Sequence, residues 1–150
     1  MVDLDDIFQP SAAGPDDPLG VPALLLAPAV LRIVISGKDI DTELDALVSA
    51  VETLQGSGGF MRTFVYELAV GLARQVEGAG IKGLAAAAKT GLNRDEKAMA
   101  FQIALVAVFS SPLSEDGDVG ILSAIADRIG LSEEAFSEAF DGARHAAAQP

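Results

Sequence analysis

Ile33-Val34-Ile35-Ser36-Gly37-Lys38-Asp39-Ile40-Asp41-Thr42-Glu43 and Val106-Ala107-Val108-Phe109-Ser110-Ser111-Pro112-Leu113-Ser114-Glu115-Asp116-Gly117-Asp118 share one build. Each runs from an apolar helix end through a turn of small residues to an Ile or Leu, and then to carboxylates that open another helix. Acidic side chains placed there sit beside the positive end of a helix, where anions are favoured and a divalent cation can be shared between them. The pattern therefore decides the fold class, all-α, before it says anything of function.

Outward from these two turns, helical periodicity continues in both directions. Ahead of the first, the apolar stretch from Val21 carries Pro22 in a first turn and Pro28 at a point where the helix must kink or restart before Val30, Leu31, Val34 and Ile35. Gly37 ends that helix. The next begins around Asp41 or Thr42 and buries Leu44, Leu47, Val48, Val51 and Leu54, until Gly56-Ser57-Gly58-Gly59 stops it. Phe60, Phe64, Leu68 and Leu72 recur at steps of four along a third helix that ends near Gly78 and Gly80. Ile81 to Thr90 is Ala-rich and reads as a fourth. Asn93 with Glu96 forms a capping-box start to a fifth, whose stretch from Ala98 to Phe109 has Gln102 as its single polar residue and is expected at the centre of the bundle. Val119, Ile121, Leu122, Ile125 and Ile129 mark a sixth, amphipathic helix, stopped by Gly130. A last helix starts at Ser132, with Leu131 and Phe136 placed as a hydrophobic staple, and frays from Ala146. No stretch shows the period-two alternation of a strand.

The expectation is an all-α, single-domain bundle of about seven helices over residues 21–146. An acidic tail rich in Pro and Gly precedes it over residues 1–20. The halves on either side of the centre are loosely similar at an offset of about 73 to 75 residues, with Ile40 matching Leu113.

Composition narrows the partners. Ten basic residues against 22 acidic ones give a net charge of −12, which repels phosphate backbones and anionic lipid and argues against nucleic acid. The apolar run from Val21 to Ile35 contains two prolines and Arg32 and is shorter than the roughly 20 residues needed to cross a bilayer. Asp3, Asp5, Asp6, Asp16 and Asp17 precede it, the reverse of a positively charged secretory leader. With no Cys as well, the expected compartment is the cytoplasm.

The repeated acidic turn, in an all-helical chain of this length, resembles the TerB-like tellurite-resistance family. The resemblance runs from about Leu24 to Phe140 and is clearer in the later stretch. It implies a compact helical fold, a link to stress or tellurite resistance, and a divalent cation held by paired acidic clusters. Glu43 and Asp118 stand nearest the family's acidic position at the start of the following helix.

The candidate metal ligands are Asp39, Asp41, Glu43, Asp116 and Asp118, with calcium or magnesium as the suitable hard ion. The two turns occupy equivalent places in similar halves, so they are expected to face one another. Helix capping and solubility are the plainer use of the same carboxylates. The spacing of Glu115, Asp116 and Asp118 is not that of an EF-hand.

Other chemistry is thin. His145 is the one histidine and lies in an Ala-rich C-terminal stretch with no neighbour to orient it as a base. Gly56, Gly58 and Gly59 follow no strand and precede no Gly-Lys-Ser/Thr, so they form no phosphate loop. Lys82, Lys89, Arg94 and Lys97 gather positive charge around the fourth and fifth helices and make the molecule dipolar.

Three functional classes remain. The first is a non-enzymatic TerB-like module that responds to stress or metal. The second is a protein-interaction module or homo-oligomer that leaves Leu24, Leu25 and Leu26, or the Phe60–Phe64 stripe, partly exposed. A small enzyme comes last, since no nucleophile and base stand together in the sequence.

Overall fold

The computed structural model describes residues 21–55 and 62–147. The acidic tail, the Gly56–Gly59 stop, Phe60 and the last three residues lie outside the described residues. Among those described there are helices and turns and no strand: α1 (Val21–Leu24), α2 (Ala27–Ser36), α3 (Ile40–Gln55), α4 (Arg62–Ala79), α5 (Ile81–Gly91), α6 (Arg94–Ser110), α7 (Asp116–Ile129) and α8 (Glu133–Ala147).

The break expected at Pro28 divides the first helical region into α1 and α2. Pro28 occupies the first turn of α2, where its missing N–H is no loss, and Leu26 at the junction donates back to the Ala23 carbonyl at 2.9 Å. This split adds one single-turn helix to the seven expected. Gly37 and Gly130 end α2 and α7 in the left-handed region, with φ of 69° and 92°. Side-chain-bearing residues avoid that conformation, and it turns the chain sharply at both places. Asn93 and Glu96 form the capping box of α6 in both directions, each hydrogen bond 2.8 Å long. Ser132 Oγ accepts from the Ala135 N–H at 3.1 Å and caps α8.

Two helices organise the core. As its sequence requires, α6 is buried along most of its length, from Ala100 and Phe101 to Val108, and packs against α2, α3, α7 and α8. Edge-to-face ring pairs join it to α8, Phe101 to Phe136 at 6.0 Å and Phe109 to Phe140 at 5.4 Å. The second is α2, which packs against α1, α3, α4, α5, α6 and α7 although it is only 10 residues long. Its residues 27–33 are all buried, and one of them is Arg32. That charge within the central apolar helix organises the site.

Leu24, Leu25 and Leu26 belong to the core, at 2 %, 0 % and 0 % exposure, which corrects the expectation that they form an open docking face. The α1–α2 break folds this short segment inward, and α1 packs against α4 and α5.

Candidate functional site

Arg32 is fully buried, and a guanidinium in that position must be met by carboxylates. Glu43, in the first turns of α3, and Asp118, in the first turn of α7, meet it. Arg32 Nη1 donates to Glu43 Oε2 and, at 3.3 Å, to Asp118 Oδ1. Glu43 is 0 % and Asp118 2 % exposed. The two acidic turns therefore do converge, as their equivalent placing suggested, and the cation between them is a side chain of the protein.

Lys38 supplies a second cation. The left-handed Gly37 carries the chain out of α2, and Lys38 Nζ donates to Asp118 Oδ2 at 2.7 Å and to the Leu113 carbonyl at 2.6 Å. An ion pair to Glu115 Oε1 at 3.3 Å completes its three donors. Asp118 Oδ2 also accepts from the Glu115 N–H at 2.8 Å, so the carboxylate caps α7 while it pairs with Lys38. Ser111, at the end of α6, donates its hydroxyl to Glu43 Oε1 and accepts from the Leu113 N–H at 3.1 Å. The cluster thus fastens α2, α3, α6 and α7 at one point. Arg32 Nε and Nη2 have no acceptor among the described residues. Leaving such donors buried costs free energy, on the order of 1–3 kcal/mol for each.

Burial pushes the Asp118 carboxyl up. The Lys38 hydrogen bond, the Glu115 N–H and the charges of Arg32 and Lys38 together outweigh it and hold the group below its ordinary 3.8. The hydrogen bond to Asp118 raises Lys38 above its ordinary 10.5 against partial desolvation, with Glu115 adding to the effect. Asp39 lies apart on the surface as the cap of α3. It accepts from the Thr42 hydroxyl at 2.6 Å and the Thr42 N–H at 3.1 Å, which hold its carboxyl below 3.8.

Of the five expected ligands, the structure thus brings Glu43 and Asp118 together and leaves Asp39 and Asp41 exposed. The Asp116 side chain lies outside what is described. The converging pair does not fit a hard divalent ion: all four of its carboxylate oxygens already accept from Arg32, Lys38, Ser111 or the Glu115 N–H. Calcium takes six to eight oxygen ligands. No group of three or more candidate ligands occurs among the described residues.

A second feature is an apolar groove of about 380 Å³ between α2, α5 and α7. Leu31 and Ile35 come from α2, Ile81 and Ala85 from α5, and Ile121 and Ile125 from α7. Ile35 and Ile81 are 43 % and 38 % exposed, so large aliphatic side chains face solvent at its mouth. Lys82 and Arg128 line it as well and are exposed, and neither is ion-paired among the described residues. Ile35 and Ile121 each stand three residues after Arg32 and Asp118, and Leu31, Ile125 and Arg128 extend the lining along the same two helices.

Reading the sequence missed Arg32, Lys38 and Ser111 in the cluster and Ile35, Ile81 and Ile121 in the groove. A signal for Arg32 was present, because a lone Arg inside an otherwise apolar helix requires buried acidic partners. For the groove there was none, since an Ile on an open helix face and one in the core have the same spacing. His145 is exposed near the end of α8, as expected. No described helix is long and apolar enough to cross a membrane. No protein-family model matches the chain, and neither a curated protein nor a solved structure matches it.

Proposed function

We propose that the domain is a non-enzymatic helical binding module of TerB-like build whose working surface is the groove between α2, α5 and α7. Its partner is a protein segment with one aliphatic or aromatic side and carboxylates beside it. The observation that carries this reading is the exposure of Ile35 and Ile81 at the mouth of an apolar groove flanked by two cations that have no ion-pair partner among the described residues. Apolar side chains gathered in a concave surface, with a few charges that set orientation, make up the usual chemistry of a peptide groove. Carboxylates on the partner would meet Lys82 and Arg128.

The buried cluster has a supporting part in this reading. It fixes the starts of α3 and α7 against α2 and so holds two walls of the groove at a set angle. A divalent cation has no part in it, because Arg32 and Lys38 already neutralise the converging carboxylates. A stress or tellurite role rests on the resemblance of the two acidic turns. The groove lining has no Ser, His or carboxylate to serve as nucleophile or base, which supports a binding role over a catalytic one.

Peptide display against the full chain, with Ile81→Asp as counter-selection, tests the proposal. The expected outcome is enrichment of peptides carrying two or three apolar residues three or four apart next to Asp or Glu, all lost on the Ile81→Asp protein. Retention of the same peptides by both proteins would overturn it.

A further inference from the structure

The lining of the groove suits an occupant that is apolar on one side and acidic beside it. The chain itself contains such a segment. Val2-Asp3-Leu4-Asp5-Asp6-Ile7-Phe8 places Leu4, Ile7 and Phe8 three and four residues apart, with Asp3, Asp5 and Asp6 between and before them. One helical turn would bring the three apolar side chains to one side and leave carboxylates next to them. We propose that residues 2–8 dock in cis into the groove between α2, α5 and α7 and compete there with any outside partner; this rests on the reading of the groove as a binding surface.

Charge favours the match. The chain carries −12 overall and, without the five acidic residues of its first 20 positions, the helical part is still −7, so an acidic segment is repelled from most of its surface, whereas the groove presents Lys82 and Arg128 beside apolar walls. The same net charge opposes a second copy of the chain as the occupant.

Tether length permits the match. Residues 9–20 join Phe8 to Val21, and at about 3.3 Å per residue they reach roughly 40 Å. A folded domain of this size is about 35 Å across, so the segment can reach the groove from where α1 begins. The starting point is also close: α1 packs against α5, which contributes Ile81, Lys82 and Ala85 to the groove. Tethering at this length sets an effective concentration near the millimolar range, so even a weak match of three apolar side chains would be populated.

The chain has no cysteine, which allows a direct test. A nitroxide is attached to a Gln9→Cys variant of the full chain, and the Ile methyl resonances are recorded by NMR with and without Leu4→Ser, Ile7→Ser and Phe8→Ser together. The expected result is strong broadening of the Ile35, Ile81 and Ile121 methyls, relieved by the triple substitution and by Lys82→Glu with Arg128→Glu. The triple variant should also bind the display-selected peptides at least several-fold more tightly than the parent chain.

Groove methyls that are unbroadened and unshifted by the triple substitution would overturn cis docking. Broadening seen only when nitroxide-bearing chains are mixed with separately isotope-labelled ones would overturn it in favour of docking between copies. In either case, peptide binding lost on Ile81→Asp would still leave the groove standing as a binding surface, so the two readings fail separately.

Discussion

On α2, Arg32 is fully buried, while Ile35 less than one turn later is 43 % exposed. On α7, Asp118 is 2 % exposed, and Ile121, three residues on, lies half-buried against the groove. The same two helices therefore place charge inside and oil outside within one turn of each other. The buried side is closed: its cations and carboxylates satisfy one another, apart from two guanidinium nitrogens. The groove is open at its mouth, where Ile35 and Ile81 face solvent over the buried Leu31, Ala85 and Ile125 and its two cations have no described partner. A buried ionic cluster is poor evidence for stability and better evidence for fixed geometry. What it fixes here is the position of the two helices that frame the open surface.

Removing the guanidinium is the hardest blow to that contrast. Arg32→Met leaves Glu43 and Asp118 buried without their shared cation and should cost about 3–5 kcal/mol in a urea denaturation series. Adding Glu43→Leu to the same chain should recover part of the loss, because the two positions are coupled. A loss under about 1 kcal/mol for Arg32→Met would mean that the cluster does not hold the fold.

Asp118→Asn is a milder change and reads out through pH. The carboxyl is held below 3.8 in the folded protein, so its contribution is present above that value and fades as pH falls through the folded pKa. The parent should lose melting temperature steeply below about pH 4, and the variant, less stable at neutral pH, should follow a flatter acid limb. Lys38→Met acts at the other end of the scale. Lys38 is raised above 10.5, so its contribution is present below that value and lost as pH rises through the folded pKa. The alkaline limb should flatten in the variant, with a smaller effect at neutral pH than that of Asp118→Asn.

The smallest effect on stability belongs to the groove. Ile81→Asp changes an exposed position and should move unfolding by no more than about 0.5 kcal/mol while abolishing peptide binding. A large destabilisation would mean that Ile81 is a core residue and that the groove is closed in solution.

Much of this architecture was legible in the sequence because punctuation and periodicity agreed. Gly37 and Gly130, Pro28, and the Asn93–Glu96 pair mark ends and starts that the structure uses at the same residues. The equivalent positions of the two turns suggested that they face one another but did not determine it, and the structure brings Glu43 and Asp118 of the five acidic candidates together. What could not be read was the identity of the cation between them. Sequence spacing shows that two carboxylates lie near helix starts, but whether a metal or an Arg from another helix, 11 residues before one and 86 before the other, neutralises them depends on how α2 is threaded through the bundle. Leu24–Leu26 failed as an exposed face for a related reason: three consecutive leucines have no periodicity, and only the break before Pro28 determines which way they turn.

The most direct test of the central claim, that the two acidic turns are joined by Arg32 and Lys38 and not by a metal, is calorimetric titration of calcium and magnesium into the chelator-treated full chain, with melting followed in parallel and Asp118→Asn as control. The account predicts no saturable heat and no change in melting beyond what ionic strength alone produces in both proteins. Near-stoichiometric binding by the parent chain that disappears in Asp118→Asn would contradict it.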